Sequence, residues 1–409
     1  MNPIVNFVKT CTSIWLRGNK YYWGWMIFLV LLIISGIAAY SNQVVHGLIQ
    51  TSMRDQVSWG FYIGNFTFLV GVAAAAVMLV IPAYVYHWEP IKEVVLLGEM
   101  LAISAIVMCM LFVTVDIGRP DRMLHLFPFL GRPNFPNSLL SWDVLVLSLY
   151  FLLNLIIVLY ILFTSFSGRH YNPKILIPLV LISIPSAISI HTVTAFLYDG
   201  VVARPFWNAS ILAPRFLASA FCSGPAILII LFQILRKVAG LKIKNEALAK
   251  IAELMAYAMF VNLFLFGAEM FKEFYSHTEH VIYAKVLLFG VGGTKVHYFM
   301  WPALIASFVA FILFLLPKTR NNFYTMNIGC LLIWFGVYTE KGMGLVIPGL
   351  TPDTLGEIYV YSPSLTEFRV AAGIFSIGFL VFTLLVKIAM PIMNMSETNS
   401  RKKIGHTNT

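Results

Sequence analysis

The chain has 409 residues, of which 59% are hydrophobic and only 11% charged, and a mean hydropathy of +0.82, which excludes a soluble globular domain. Its net charge of +10 is not a nucleic-acid footprint. In so apolar a chain, Lys and Arg chiefly mark the loops retained on one side of a bilayer. Four isolated cysteines, Cys11, Cys109, Cys222 and Cys330, with no CxxC or CxxCH, give neither an iron–sulfur nor a c-type haem signature, and no metal site is expected.

Some twenty mixed residues precede the first apolar run and no small-residue cleavage site follows it, so the N-terminus does not read as a cleavable signal. Apolar runs then occupy about 22–46, 61–86, 92–115, 142–166, 173–195, 209–236, 248–272, 297–317, 323–345 and 367–393. Each is long enough to cross ~30 Å of hydrocarbon as a helix. The fold class is therefore an all-α polytopic membrane protein with ten transmembrane helices. The expected arrangement is two four-helix bundles, at about 59–195 and 209–345, plus flanking helices, within a membrane domain of 22–393. Segments 1–21 and 394–409 lie outside it.

An even number of helices puts both termini on one side. Of the 28 Lys and Arg, 17 fall on that side, five of them in the 236–250 loop, so both termini are expected in the cytoplasm. The long connections, 116–141, 196–208, 273–296 and 346–366, then lie outside. So do six of nine histidines: 46, 125, 191, 277, 280 and 297. Long ordered loops carry function more often than short ones.

Trp59, Tyr62 and Asn65 are spaced i, i+3, i+6 and are expected on one helix face, either as an aromatic belt with a satisfied Asn or as part of a pocket. Asp116, Arg119, Asp121, Arg122 and His125 crowd the turn that follows the third helix, as a loop-shaping network or a polar lid. Trp142 and Asp143 open the fourth helix. His191 closes the fifth and leads into a stretch that holds Arg204, Trp207 and Arg215 between apolar segments. Bilayer hydrocarbon penalises ionisable groups by ~2.5–3.5 kcal/mol each, so these face protein, water or a ligand. Glu99 lies on the third helix. On the seventh, Asn262, Glu269 and Glu273 share one face and Glu253 sits opposite. Such carboxyls serve proton relay or bond between helices. Glu340 and Lys341 are expected as a solvated cap of the ninth helix.

WGFYIGNFTFLVGVAAAA, DIGRPDR, NSLLSW and RPFWNASILAPRFLASAFCSG, spread from about Trp59 through Ser223, resemble the NrfD family, the membrane subunits of polysulfide-reductase-type respiratory complexes. Ten helices and the HTVTAF start look most like the branch associated with dissimilatory sulfite reductase, which implies sulfur or sulfate respiration. The resemblance implies a chain without haem or iron–sulfur cluster that binds menaquinone in its first bundle near the outer face. It also implies an extracytoplasmic ferredoxin-like iron–sulfur partner, a multihaem cytochrome c and further membrane subunits. The implied pocket lies where helices start at Trp59 and end near Asp116, Trp142 and His191. Family members often carry Tyr or another polar residue at the position of His191.

Quinone chemistry moves two electrons with two protons, so a site needs hydrogen-bonding groups, an aromatic slot and an apolar route for the tail. Trp59, Tyr62, Asn65, Arg119, Trp142, His191, Arg204 and Trp207 are the expected quinone-binding residues. His191 and Asp143 are the expected proton acceptors, because imidazole titrates near neutrality and a placed carboxylate serves as a base. Glu99 and Glu269 are the expected proton path. Two alternatives stand beside this reading. A haem b anchor would need facing His pairs at one depth. A proton-coupled transporter would need matched broken helices, which the sequence does not signal.

Overall fold

The computed structural model describes residues 3–407 except 87, 93, 127–129, 170, 242, 277–279 and 353–354, together with the side chains of these residues other than 85, 89, 92 and 393–407. His277 thus lies outside the described residues. Ten helices are long and apolar enough to cross a membrane: α1 Lys20–His46, α2 Phe61–Tyr84, α3 Val95–Asp116, α4 Leu139–Phe166, α5 Pro173–Asp199, α6 Leu212–Val238, α7 Asn245–Tyr275, α8 His297–Leu315, α9 Phe323–Leu350 and α10 Leu365–Ile392. No strand occurs among the described residues. The protein is a multi-pass integral membrane protein. Below, the end of the helices that carries both termini is the terminal face and the other the distal face.

Helix starts follow from local capping. Asn19, Ser138, Asn172 and Asn322 each accept a hydrogen bond from a backbone N–H of the first turn that follows, and Pro173 needs no donor at its position. Ser364 and Glu367 form a reciprocal capping box at the head of α10, with Ser364 N donating to Glu367 Oε2 at 2.8 Å and Glu367 N to Ser364 Oγ at 3.3 Å. Because Ser138 caps α4, that helix begins at Leu139 rather than 142. α5 runs on to Asp199, which places His191 two turns inside the helix and not at its end.

α2–α5 pack as one four-helix ring and α6–α9 as another, while α1 and α10 pair along the outside of the first, with α10 against α3 and α4. The two rings meet chiefly where α2 crosses α6. There a Cβ on Gly224 would lie 2.5 Å from Ala75 Cβ, so small residues set the approach. The segment before α1 is itself a helix, Pro3–Trp15. Phe7 packs edge-on against Phe163 and Phe166 of α4, and the Trp15 indole donates to Leu384 O at 3.0 Å.

Two spans are broken, contrary to the sequence expectation. α2 interrupts its α-helix at Ala74 and becomes π-helical over Ile81–Val85. The Tyr150 hydroxyl of α4 donates to Ala73 O at 3.3 Å beside that break. α9 breaks at Gly342, directly after Lys341, and resumes as Met343–Leu350. The Tyr150 hydroxyl thus meets a carbonyl at the α2 break, as a membrane interior demands.

Candidate functional site at the distal face

A cavity of about 110 Å³ opens between α3 and α4 near the distal face. Met110, Val113 and Thr114 of α3 form one wall, and Val144, Leu147 and Ser148 of α4 the other. Met123 and Leu126, from the short 3₁₀ helix Pro120–Leu126, cover it. Its acid is Asp143, one turn past the start of α4 and only 1% exposed. Asp143 Oδ1 accepts from Thr194 Oγ1 of α5 at 2.9 Å. Asp143 Oδ2 is buried and has no hydrogen-bond partner among the described residues. An unsatisfied carboxylate oxygen in an apolar membrane site costs free energy unless a ligand or proton meets it. The cavity therefore combines an apolar slot with one polar atom prepared for a donor.

His191 lies one turn before Thr194 on the same helix and is fully buried. Its Nδ1 faces Ala187 O at 3.0 Å, which assigns the proton to Nδ1 and leaves Nε2 as an acceptor. That Nε2 is buried without a partner among the described residues. The two expected proton acceptors thus sit on adjoining helices, with Thr194 bonded to Asp143 and one turn from His191.

The remaining expected residues do not converge on this cavity. Trp59 precedes α2 rather than belonging to it, so the expected shared face does not exist. Trp59 stacks on Trp207 with centroids 5.2 Å apart and meets Tyr198 edge-on at 5.3 Å. The Tyr62 hydroxyl donates to Gln43 Oε1 at 2.8 Å, toward α1, and Asn65 Oδ1 accepts from the Tyr338 hydroxyl at 2.8 Å, toward α9. α2 is buried on nearly every side, and its polar groups turn to whichever neighbour faces them.

Arg204 and Trp207 form a clasp. Arg204 Nη1 donates to Leu350 O and Pro352 O at 2.9 and 3.2 Å, and the Trp207 indole to Leu345 O at 2.9 Å. Both fasten the 196–208 connection onto the end of α9. The Trp142 indole donates to Pro136 O at 2.7 Å and packs on Phe135. Arg119 makes an exposed bidentate pair with Asp121, at 3.0 and 2.9 Å, which holds the Asp121 carboxyl below its ordinary range.

The two expected relay carboxyls differ. Glu99, on α3 toward the terminal face, is 1% exposed, with neither oxygen partnered among the described residues. Glu269 is ion-paired. Arg215 of α6 reaches Glu269 through Nη1 and Glu340 of α9 through Nε, the latter at 2.9 Å. Asn262 Nδ2 donates to Glu340 Oε2 at 2.9 Å, and Lys341 Nζ to Phe216 O at 2.7 Å. Glu340 and Lys341 are 4% and 3% exposed, which corrects the expectation of a solvated cap. The second ring thus has a core of two cations and two carboxylates. Arg215 carried the available signal, being a lone cation within an apolar run, but its partners lie on α7 and α9 and share no local motif with it.

Residues 49–351 match the family model described as polysulphide reductase, NrfD. The chain is 27% identical to a membrane subunit of the dimethyl sulfoxide reductase of Halobacterium salinarum, over 88% of this chain and 89% of that protein. It is 23% identical to a subunit of the selenate reductase of Mesobacillus selenatarsenatis, over 93% and 96%. To the Hdr-like menaquinol oxidoreductase integral membrane subunit of Archaeoglobus fulgidus it is 21% identical, over 88% and 92%. None of these three names belongs to the sulfite-reductase-associated branch.

Proposed function

Because the chain belongs to the polysulphide reductase NrfD family, we propose that it is the quinone-reactive membrane subunit of a respiratory oxidoreductase complex, exchanging electrons between menaquinol and an extracytoplasmic ferredoxin-like iron–sulfur partner. The relatives named as subunits of reductases, and the one named as part of a menaquinol oxidoreductase, support this reading. The Lys and Arg distribution supports a cytoplasmic terminal face, which puts the Asp143 cavity near the outer surface, within reach of such a partner. A multihaem cytochrome c and a sulfur compound as final acceptor rest on the HTVTAF and loop motifs.

The observation that carries the proposal is the buried Asp143 with one oxygen held by Thr194 and the other free. A quinol hydroxyl offers the donor that Oδ2 lacks, and the Met and Leu walls suit the ring and the start of the tail. Asp143 takes the proton, Thr194 fixes the carboxylate, and His191 is a second acceptor one helical turn away. The test is quinol-analogue oxidation by the assembled complex carrying Asp143→Asn. Turnover falls by about 10²-fold or more, the usual scale for a general base, while the complex retains its full set of proteins. Near-normal turnover in a fully assembled Asn variant would remove Asp143 from the chemistry.

A second reading concerns proton movement. The α9 break beside Lys341, the Arg215–Glu340–Glu269 core and the unpartnered Glu99 support proton transfer through the bundles. Glu99→Gln and Glu269→Gln then lower the proton-to-electron ratio more than quinol affinity. Unchanged ratios in both variants would leave the two carboxyls structural.

A further inference from the structure

A second cavity stands apart from the distal site. At the terminal face a pocket of about 310 Å³ is lined by Trp88, Glu246, Lys250, Glu253, Arg320 and Asn321. Its position follows from the topology. Glu246, Lys250 and Glu253 share one face of the first two turns of α7, spaced i, i+4, i+7. Arg320 and Asn321 come from the tight connection between α8 and α9, and Trp88 from the connection between α2 and α3. Two connections and the start of α7 therefore enclose a wedge at the terminal face.

The pocket's described lining carries two cations, Lys250 and Arg320, and two carboxylates, Glu246 and Glu253. Glu253 is its hub: Lys250 Nζ lies 3.4 Å and Arg320 Nη2 3.2 Å from Oε2, and the Tyr257 hydroxyl donates to Oε1 at 3.0 Å. Arg320 and Glu253 are largely enclosed, with side chains 18% and 19% exposed, while Lys250 is 48% exposed. A guanidinium has five N–H donors and an ammonium three, so both cations keep donors for a further acceptor. Glu246, exposed at the rim, keeps acceptor capacity for a cation.

Beyond the pocket an apolar track runs along the lipid-facing seam of α7 and α8. Tyr257, Phe260 and Phe264 of α7 are exposed, as are Phe308 and Leu315 of α8. Phe260 and Phe311 meet across the seam with ring centroids 6.1 Å apart. Polar pocket and apolar track join at Tyr257, whose hydroxyl is bonded to Glu253. That join suits a molecule with a charged head and acyl chains.

We propose that this pocket binds the headgroup of a zwitterionic phospholipid carrying a primary amine and a phosphodiester. Arg320 and Lys250 hold the phosphate through charge-assisted hydrogen bonds, and Glu246 and Glu253 accept from the ammonium. Trp88 occupies the interfacial position that indoles favour. A purely anionic headgroup would set its charge beside Glu246 and Glu253 and bring no ammonium to meet the rim carboxylate. A quaternary amine offers them no N–H.

The test uses the purified full-length chain in detergent, with native mass spectrometry after addition of dioleoyl phosphatidylethanolamine, phosphatidylglycerol or phosphatidylcholine, or of inorganic phosphate. Phosphatidylethanolamine is retained in preference to the others, and Lys250→Gln with Arg320→Gln weakens its retention about tenfold or more, the scale of one lost charge-assisted hydrogen bond. A photoactivatable phosphatidylethanolamine cross-links to the wild-type segments 246–253 and 317–324, which requires no variant to fold. Three results would overturn the proposal: equal retention of phosphatidylglycerol or phosphatidylcholine, displacement of the lipid by inorganic phosphate, or cross-links confined to other segments.

Discussion

Arg215 sits between two carboxylates in the dry centre of the second ring, and its replacement by Leu is the most informative perturbation of the fold. Arg215 is 5% exposed and Glu269 and Glu340 each 4%, so solvent cannot compensate the charges left behind. Wild type balances Arg215 and Lys341 against the two glutamates; Arg215→Leu leaves one cation against two anions. Removing one partner of a buried pair costs about 3–5 kcal/mol. At ~2–4 °C per kcal/mol the melting midpoint falls by on the order of 10 °C. The assay is thermal unfolding of the purified chain followed by size-exclusion fluorescence, together with its level in membranes. Adding Glu269→Gln to Arg215→Leu restores one cation against one anion and recovers about half of the loss or more. An Arg215→Leu protein that melts within about 2 °C of wild type, or a double variant less stable than the single, would refute the electrostatic account of this core.

Two further outcomes follow from groups outside the spans. Arg119 was expected at the quinone but forms an exposed pair with Asp121, so Arg119→Ala leaves both assembly and quinol turnover unchanged; a large loss of turnover would return it to the site. Burial pushes the Cys11 thiol above its ordinary pKa in the N-terminal helix. Its thiolate is therefore scarce at pH 8, and iodoacetamide labels the native protein more slowly than a free thiol, with the rate recovering in dodecyl sulfate. Because the folded thiol holds its proton more tightly than the unfolded one, whatever Cys11 adds to stability is complete below the unfolded value of ~8.5 and declines as pH rises past it. Labelling as fast in the native state as in detergent-unfolded chain would contradict this.

The helical frame was legible because hydropathy over some twenty residues is a strong signal, and Ser138 or Asn172 moved a boundary by only a few residues. The site was legible in part. Asp143 was marked by its place just inside an apolar helix, and it does line the cavity. Trp59, Tyr62 and Asn65 were misassigned to one face because the spacing argument assumed a helix that already includes Trp59, whereas it begins two residues later at Phe61. Arg204 and Trp207 looked like ligand groups, since sequence cannot distinguish a side chain aimed at a ligand from one aimed at the backbone carbonyls of Leu345 and Leu350. Glu340 and Lys341 before Gly342 had the pattern of an exposed helix end. Only the continuation of the span through Met343–Leu350 reveals that the pair lies deep in the protein.

The α1–α10 contact bears on how the protein is made. Gly36 and Gly373 meet so closely that a Cβ on Gly36 would stand 2.8 Å from Gly373 Cα, and Arg369 donates to Ser35 Oγ at 3.2 Å nearby. α1 is the least enclosed of the ten spans, and α10 is the helix it chiefly packs on. α1 touches the first ring through Gln43, which meets Tyr62 and Val115 O, but takes most of its cover from α10, far along the chain. Contacts this distant in sequence form slowly and leave a surface unprotected in the interval. The seam between α1 and α10 therefore closes only once α10 has been made, and truncation before 365 leaves that face of α1 uncovered even though every residue of the Asp143 cavity has been synthesised.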